Sequence, residues 1–164
     1  MAETVKTGLE KLAGKYLTFK LASEEYGIAL LKVKEIIGMM PLTKVPRTPD
    51  FIRGVINLRG TVIPVVELRR KFGMETVPDT EETCIIVVEM KTKEKKFAMG
   101  ILVDSVSEVL DIAGENIEEA PNFGIVIDTA FILGMAKRQG GVSILLNIEK
   151  VITGEEAEAI GGIE

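Results

Sequence analysis

The chain has 164 residues, 46% of them hydrophobic and 27% charged, with a net charge of −5. That make-up excludes a disordered chain and suits one ordinary domain or two small barrels. The acidic balance, two Tyr and no Trp exclude a general nucleic-acid binder, which needs a basic surface and aromatic stacking platforms.

Taken in chain order, the first 15 residues, MAETVKTGLEKLAGK, alternate charges and hold no apolar signal core. LTFKL then alternates, placing Leu17, Phe19 and Leu21 on one face of a strand. ASEE predicts a turn, and YGIAL a returning strand. VKEII, VINL, TVIPVV, CIIVVEM, KFAMGILV, VSEVLDI and GVSILLNI read as further strands, short and rich in Val and Ile. Pro64 cannot donate to a ladder, so TVIPVV is expected at an edge or at a bulge. Short helices are predicted at PDFIRG, ELRRKF, NIEKVI and, in the tail, EEAEAI. Strands this closely spaced predict an all-β fold.

The chain repeats itself. FIRGVINLRG (51–60) and FILGMAKRQG (131–140) share F-I-x-G, five residues and G, at an offset of 80. TVIPVVELRRKF then aligns with GVSILLNIEKVI. Upstream the offset is 73: Gly27-Ile28 matches Gly100-Ile101, and Val33 to Ile36 matches Val106 to Val109. The same elements occurring twice predict two similar small β-barrels, approximately 15–80 and 81–153, within one domain over 15–153. Strand exchange across their junction is left open. Residues 1–14 form an N-terminal extension and 154–164 an acidic tail. Glycine in both copies points to a backbone need at Gly54 and Gly134, and at Gly60 and Gly140. Phe51 and Phe131 are expected core anchors. Arg59 matches Gln139, so the fold does not require arginine there; it is either a solvated turn charge or a functional residue.

Histidine is absent, which removes the commonest general base and metal ligand. Cys84, the single cysteine, heads CIIVV and reads as a buried core thiol. No phosphate loop, nucleophile elbow, C-x-x-C or H-E-x-x-H occurs, so no catalytic residue, metal site or cofactor is expected. No apolar run reaches the ~18 residues needed to span a membrane, so a cytoplasmic protein is expected. Charge is uneven: seven bases against two acids between Lys44 and Lys71, and five acids without a base between Glu108 and Glu119. That is either a docking pattern or ordinary surface charge.

EEYGIALLKVKEI, TPDFIRGVINLRGTVIPVVELRRKFG, GILVDSVSEVL and ILLNIEKV together resemble the CheW family of bacterial chemotaxis coupling proteins, over about residues 15–153. The resemblance implies two five-stranded SH3-like or OB-like barrels around a shared apolar centre. It also implies a non-enzymatic adaptor that joins transmembrane chemoreceptors to the histidine kinase CheA. Its partners would be the hairpin tip of the receptor coiled coil and the C-terminal regulatory domain of the kinase, with recruitment to receptor arrays. Carried over by position, the receptor groove would be walled by Val33 and Ile36 on one side and by Val103 and Val106 on the other. Glu35 and Arg59 would be its polar elements. On their own pattern the four apolar residues fit a barrel core equally well. Kinase contacts would fall at Val45, Thr48 and Phe51, and at Phe123 in EEAPNF, where Glu118 and Glu119 replace the basic residue common in relatives. The alternative is a CheV-like protein or a mimic of the kinase regulatory domain in another two-component pathway. The receiver domain that CheV-like proteins carry does not fit within these 164 residues. An unrelated small-β enzyme or oligonucleotide-binding barrel is opposed by the acidic balance and scarce aromatics.

Overall fold

The structure is a computed structural model that describes residues 12–91, 96–119 and 131–152. Phe123 and the tail helix lie outside them. Among the described residues eleven strands form two sheets, in the chain order β1 (Gly14–Leu21), β2 (Glu24–Ala29), β3 (Val33–Gly38), β4 (Ile52–Leu58), β5 (Thr61–Glu67), β6 (Cys84–Lys91), β7 (Lys96–Val103), β8 (Ser105–Ile112), β9 (Ile117–Glu118), β10 (Ile132–Arg138) and β11 (Gly141–Leu146). One four-residue helix follows each repeat unit: α1 (Leu68–Lys71) after β5, and α2 (Ile148–Val151) after β11.

The sheets cut across the repeat. One has the order β3-β6-β7-β5-β4, the other β8-β1-β2-β11-β10-β9. The hairpin β1–β2 therefore serves the sheet built from the later residues, and β6–β7 the sheet built from the earlier ones. Residues 15–80 and 81–153 are the two halves of the repeat, not the two sheets. The strand orders correspond one to one once β3 is matched with β8, β6 with β1 and β7 with β2. The second sheet has six strands rather than five because β9 pairs with Met135 and Ala136. Its counterpart in the first sheet is the single bridge from Thr43 to Val55.

Register repeats too. β5 lies parallel to β7 with Val65 opposite Gly100, and β11 lies parallel to β2 with Leu145 opposite Gly27. Both bulges recur. β4 and β10 slip between Ile52 and Gly54 and between Ile132 and Gly134. On β3, Lys34 is skipped between Val33 and Glu35; on β8, Ser107 is skipped between Val106 and Glu108. The buried Thr18 hydroxyl closes the β8 bulge, donating to the Glu108 carbonyl (2.9 Å) and accepting from the Glu108 N–H (3.2 Å).

The core is threefold. The largest cluster lies between the sheets and contains Phe19, Tyr26, Phe51, Ile86, Ile101 and Leu146 among others. An aromatic run, Phe19–Tyr26–Phe72–Phe131, crosses it at centroid spacings of 5.9, 6.0 and 5.1 Å. A smaller cluster fills each sheet's own interior. Strands covered on both faces explain why β1 buries Tyr16 and Thr18 as well as Leu17, Phe19 and Leu21.

Two expectations from sequence are corrected. PDFIRG is not a helix: Asp50 and Phe51 turn, and Ile52 already belongs to β4. Phe51 is anchored there because its carbonyl accepts from the Glu67 N–H (2.7 Å), as that of Phe131 does from Asn147 (2.8 Å). Pro64 is on neither an edge nor a bulge, since β5 lies inside its sheet. Its partner Val55 spends both backbone groups on Thr43, so the pair carries no ladder bond. The ladder to β7 begins only at Val65, and the missing N–H falls where none is needed.

Gly54 has φ +152°, and a Cβ built on it would sit 2.6 Å from the Thr43 carbonyl oxygen. Gly54→Ala is expected to break the Thr43–Val55 bridge and destabilise by about 2–3 kcal/mol. Gly60→Ala, at φ +91° in open space, should cost only the left-handed penalty of about 1 kcal/mol. Thermal melts of the two variants check the difference.

Candidate functional site

Arg59 stands on the β4–β5 turn, where both central residues are left-handed: φ is 52° at Arg59 and 91° at Gly60. That is the two-residue hairpin turn whose twist suits flanking strands, and it normally takes Asn or Gly first. Asn57 steadies it by accepting from the Gly60 N–H (2.8 Å). In the second repeat only Gly140 is left-handed and Gln139 is not, so the two tips differ in backbone as well as in side chain. Arg59 is thus held in a costly conformation that its counterpart avoids.

The side chain of Arg59 is 69% exposed and its guanidinium pairs with the Glu35 carboxylate on β3. The hydrogen bond that Arg59 donates to Glu35, then the carboxylate's charge, raises the arginine pKa further above an already high value. Structure therefore joins the two polar residues that sequence had placed 24 positions apart. Glu35 follows the bulge at Lys34, which turns its neighbour Ile36 outward, 45% exposed. Val33, Val106 and Cys84 line the partly buried rim of the shared core. Cys84 pairs with Gly38 on β3 and is hydrogen-bonded to the backbone at Val106 on β8, so it sits between the two walls. It is half-buried rather than fully buried, and burial pushes its thiol pKa up despite that hydrogen bond.

Val103 does not reach this surface. It is 2% exposed, within the shared core. The residue that does is Val109, 49% exposed on β8. The repeat could have found it: an offset of 73 carries Val33 and Ile36 to Val106 and Val109, not to Val103 and Val106. Glu35 likewise maps to Glu108, whose carboxylate lies 3.5 Å from Arg138. Each wall thus carries a Val, a Glu paired with an Arg, and an exposed aliphatic residue.

The other predicted surface is the loop before β4. Val45 and Thr48 are half-buried in a hollow of about 320 Å³ that also involves Lys44, Arg47 and Arg70. Thr48 donates to the Val45 carbonyl (2.8 Å). Phe51 is buried in the core, with the Lys71 ammonium 4.5 Å above its ring. It supports this loop from beneath. The basic segment is largely tied internally: Arg53 meets Asp79 and Glu67, and Arg70 meets Glu67. Lys44 and Arg47 make no ion pair among the described residues, and Arg47 is another left-handed non-glycine (φ 63°).

Arg69 on α1 forks onto Asp104, between β7 and β8, with Nε 2.8 Å from Oδ1. The Ala22 N–H donates to the same carboxylate (2.9 Å). Burial alone would raise the Asp104 pKa; the Arg69 hydrogen bond, the Ala22 N–H and the Arg69 charge outweigh it and hold the group below 3.8. A depressed acid contributes stability above its unfolded pKa and loses it as pH falls through the folded value. The melting temperature of the wild type should therefore fall more steeply below about pH 4 than that of Asp104→Asn, which a pH series of melts will show.

Half-buried valines lie beside a Glu–Arg pair on this surface, and a doubled β-fold that presents such a surface fits the class of binding scaffolds. Among the described residues no three Cys, Asp or Glu side chains are grouped to hold a metal ion, and no helix is long and apolar enough to cross a membrane. The CheW-like domain model matches residues 15–156. The chain is 37% identical to the chemotaxis protein CheW of Klebsiella aerogenes, covering 99% of this chain and 96% of that one. It is 32% identical to the chemotaxis protein CheW of Rhizobium meliloti, covering 87% and 90%. The crystal structure of the scaffolding protein TtCheW from Thermoanaerobacter tengcongensis superposes with a TM-score of 0.75 at 37% identity, covering 88% of this chain and 97% of that one. The chain belongs to the CheW family: it is a non-enzymatic chemotaxis adaptor that couples chemoreceptors to the kinase CheA.

Proposed function

We propose that the surface between β3 and β8 receives the hairpin tip of a chemoreceptor's cytoplasmic coiled coil, in the helix-in-groove mode. Val33, Ile36, Val106 and Val109 take the apolar face of the helices, Val103 packs beneath them, and Arg59, oriented by Glu35, reaches a carboxylate or carbonyl at the tip. The observation that carries this reading is the Glu35–Arg59 pair, built on a strained turn and standing beside the exposed Ile36. The loop of Val45 and Thr48, backed by Phe51 and carrying Lys44 and Arg47, which make no ion pair among the described residues, contacts the C-terminal regulatory domain of the kinase. Phe123, outside the described residues, is the proposed second contact with the kinase. Binding both partners recruits the protein to membrane-associated receptor arrays. Reconstitution from a receptor fragment, the kinase and this protein tests the whole: receptor control of kinase activity should require this protein. Equal control without it would refute the proposal.

A further inference from the structure

The chain passes between the sheets twice, from β2 to β3 through residues 30–32 and from β7 to β8 through Asp104. The two crossings are equivalent in the repeat, since an offset of 73 carries Leu31 to Asp104. Each is gripped by the short helix of the corresponding unit: Arg69 on α1 holds Asp104, and Glu149 on α2, 80 positions later, holds Lys32.

The grips are of opposite polarity and unequal quality. The Arg69–Asp104 pair is forked, and Arg69 is largely buried. Arg69 also donates to the Glu75 carbonyl (2.8 Å). Asp104 reaches the other sheet as well: it accepts from the Ala22 N–H, and its own N–H donates to the Lys20 carbonyl (3.1 Å). Ala22 and Ser23 are both left-handed (φ 51° and 73°), a turn two non-glycine residues hold only when tied down. The Lys32–Glu149 pair is a single exposed contact of 3.2 Å, of the kind that holds little. Leu31 beside it is fully exposed. The Asp104 crossing is the locked one, and residues 30–32, a single 3-10 turn closed by the Val33 N–H on the Leu30 carbonyl, the looser; each is the root of a groove wall, since Val33 follows the loose crossing directly and Val106 lies two residues past Asp104.

We propose that Arg69 and Asp104 are positioning residues for the receptor groove: their clasp fixes the β8 wall against the first sheet, and relative movement of the sheets is taken up at residues 30–32, where the β3 wall adjusts to the bound hairpin. This rests on the groove reading given above.

Val62 and Val142 are exposed, repeat-matched and one to a sheet, and so suit spin labels in a Cys84→Ala background. Dipolar distance distributions, titration with a receptor hairpin fragment and thermal melts are measured on the full chain. Arg69→Gln and Asp104→Asn are expected to broaden the distribution and weaken hairpin binding about five- to tenfold, the lower end of a typical coupling between sites. Arg69→Lys, which keeps the charge and loses the fork, should fall between them and wild type. Lys32→Gln should leave the distribution and the affinity as they are. Unchanged distributions in the two clasp variants overturn the proposal, as does broadening with undiminished affinity. A Lys32→Gln effect equal to theirs overturns the division into locked and loose crossings. Should Asp104→Asn fail to fold, Arg69→Lys and Arg69→Gln decide the matter. A folded wild type that does not bind the hairpin instead fails the groove reading, and the positioning role with it.

Discussion

Arg59→Ala is expected to weaken binding of a receptor hairpin fragment about tenfold or more, the worth of one charge-assisted hydrogen bond, while the fold is retained. The side chain is mostly in solvent, and its pair with Glu35 is an exposed ion pair of the sort that adds at most about 1 kcal/mol to stability. Arg59→Gly sharpens the test. Glycine accepts the left-handed backbone without penalty, so this variant should be as stable as wild type or more so, by up to about 1 kcal/mol, and yet bind as poorly as alanine. Stability and binding would then move in opposite directions at one position. Glu35→Ala separates two roles for the pair. If Glu35 serves to orient Arg59, its loss costs less than the loss of Arg59; if Glu35 meets the receptor itself, the two losses are alike. Wild-type affinity in Arg59→Ala would remove Arg59 from the groove.

The opposite pattern is expected of the two valines on the β7–β8 segment. Val109→Glu puts a charge on a half-exposed position of β8, so it should leave the melting temperature nearly unchanged and abolish detectable hairpin binding. Val103→Ala, in the shared core, should destabilise by about 2–3 kcal/mol through lost burial and a residual cavity. Its folded fraction should bind nearly as wild type. Urea unfolding curves alongside binding titrations check both. Strong binding by Val109→Glu would show that the receptor does not use the β8 wall as placed here.

Much of the fold was legible because it rests on periodicity. Alternation at Leu17, Phe19 and Leu21 and short Val- and Ile-rich runs mark strands whatever their neighbours turn out to be. The repeat offsets of 73 and 80 then say that the chain builds one unit twice. They also isolate Arg59, because only a residue missing from the second copy asks for another explanation. PDFIRG was misread because a Pro-led apolar segment looks alike at a helix start and at a strand entry; the bond from Glu67 to the Phe51 carbonyl decides between them. Pro64 was misread because a missing N–H is harmless or ruinous according to which neighbour it faces, and pairing sets that.

The sequence by itself determined the all-β class, the doubled unit, the family and the candidacy of Arg59, since composition, spacing and repetition are properties of the chain alone. Only the tertiary structure decided which hairpin serves which sheet, because the β1–β2 and β6–β7 hairpins satisfy their edges on strands far along the chain. It also decided that Val103 is core and Val109 is surface. Both are valines on strands within one short segment. A bulge and the side of the sheet each strand presents to its neighbour, rather than residue type, settle which of the two meets solvent.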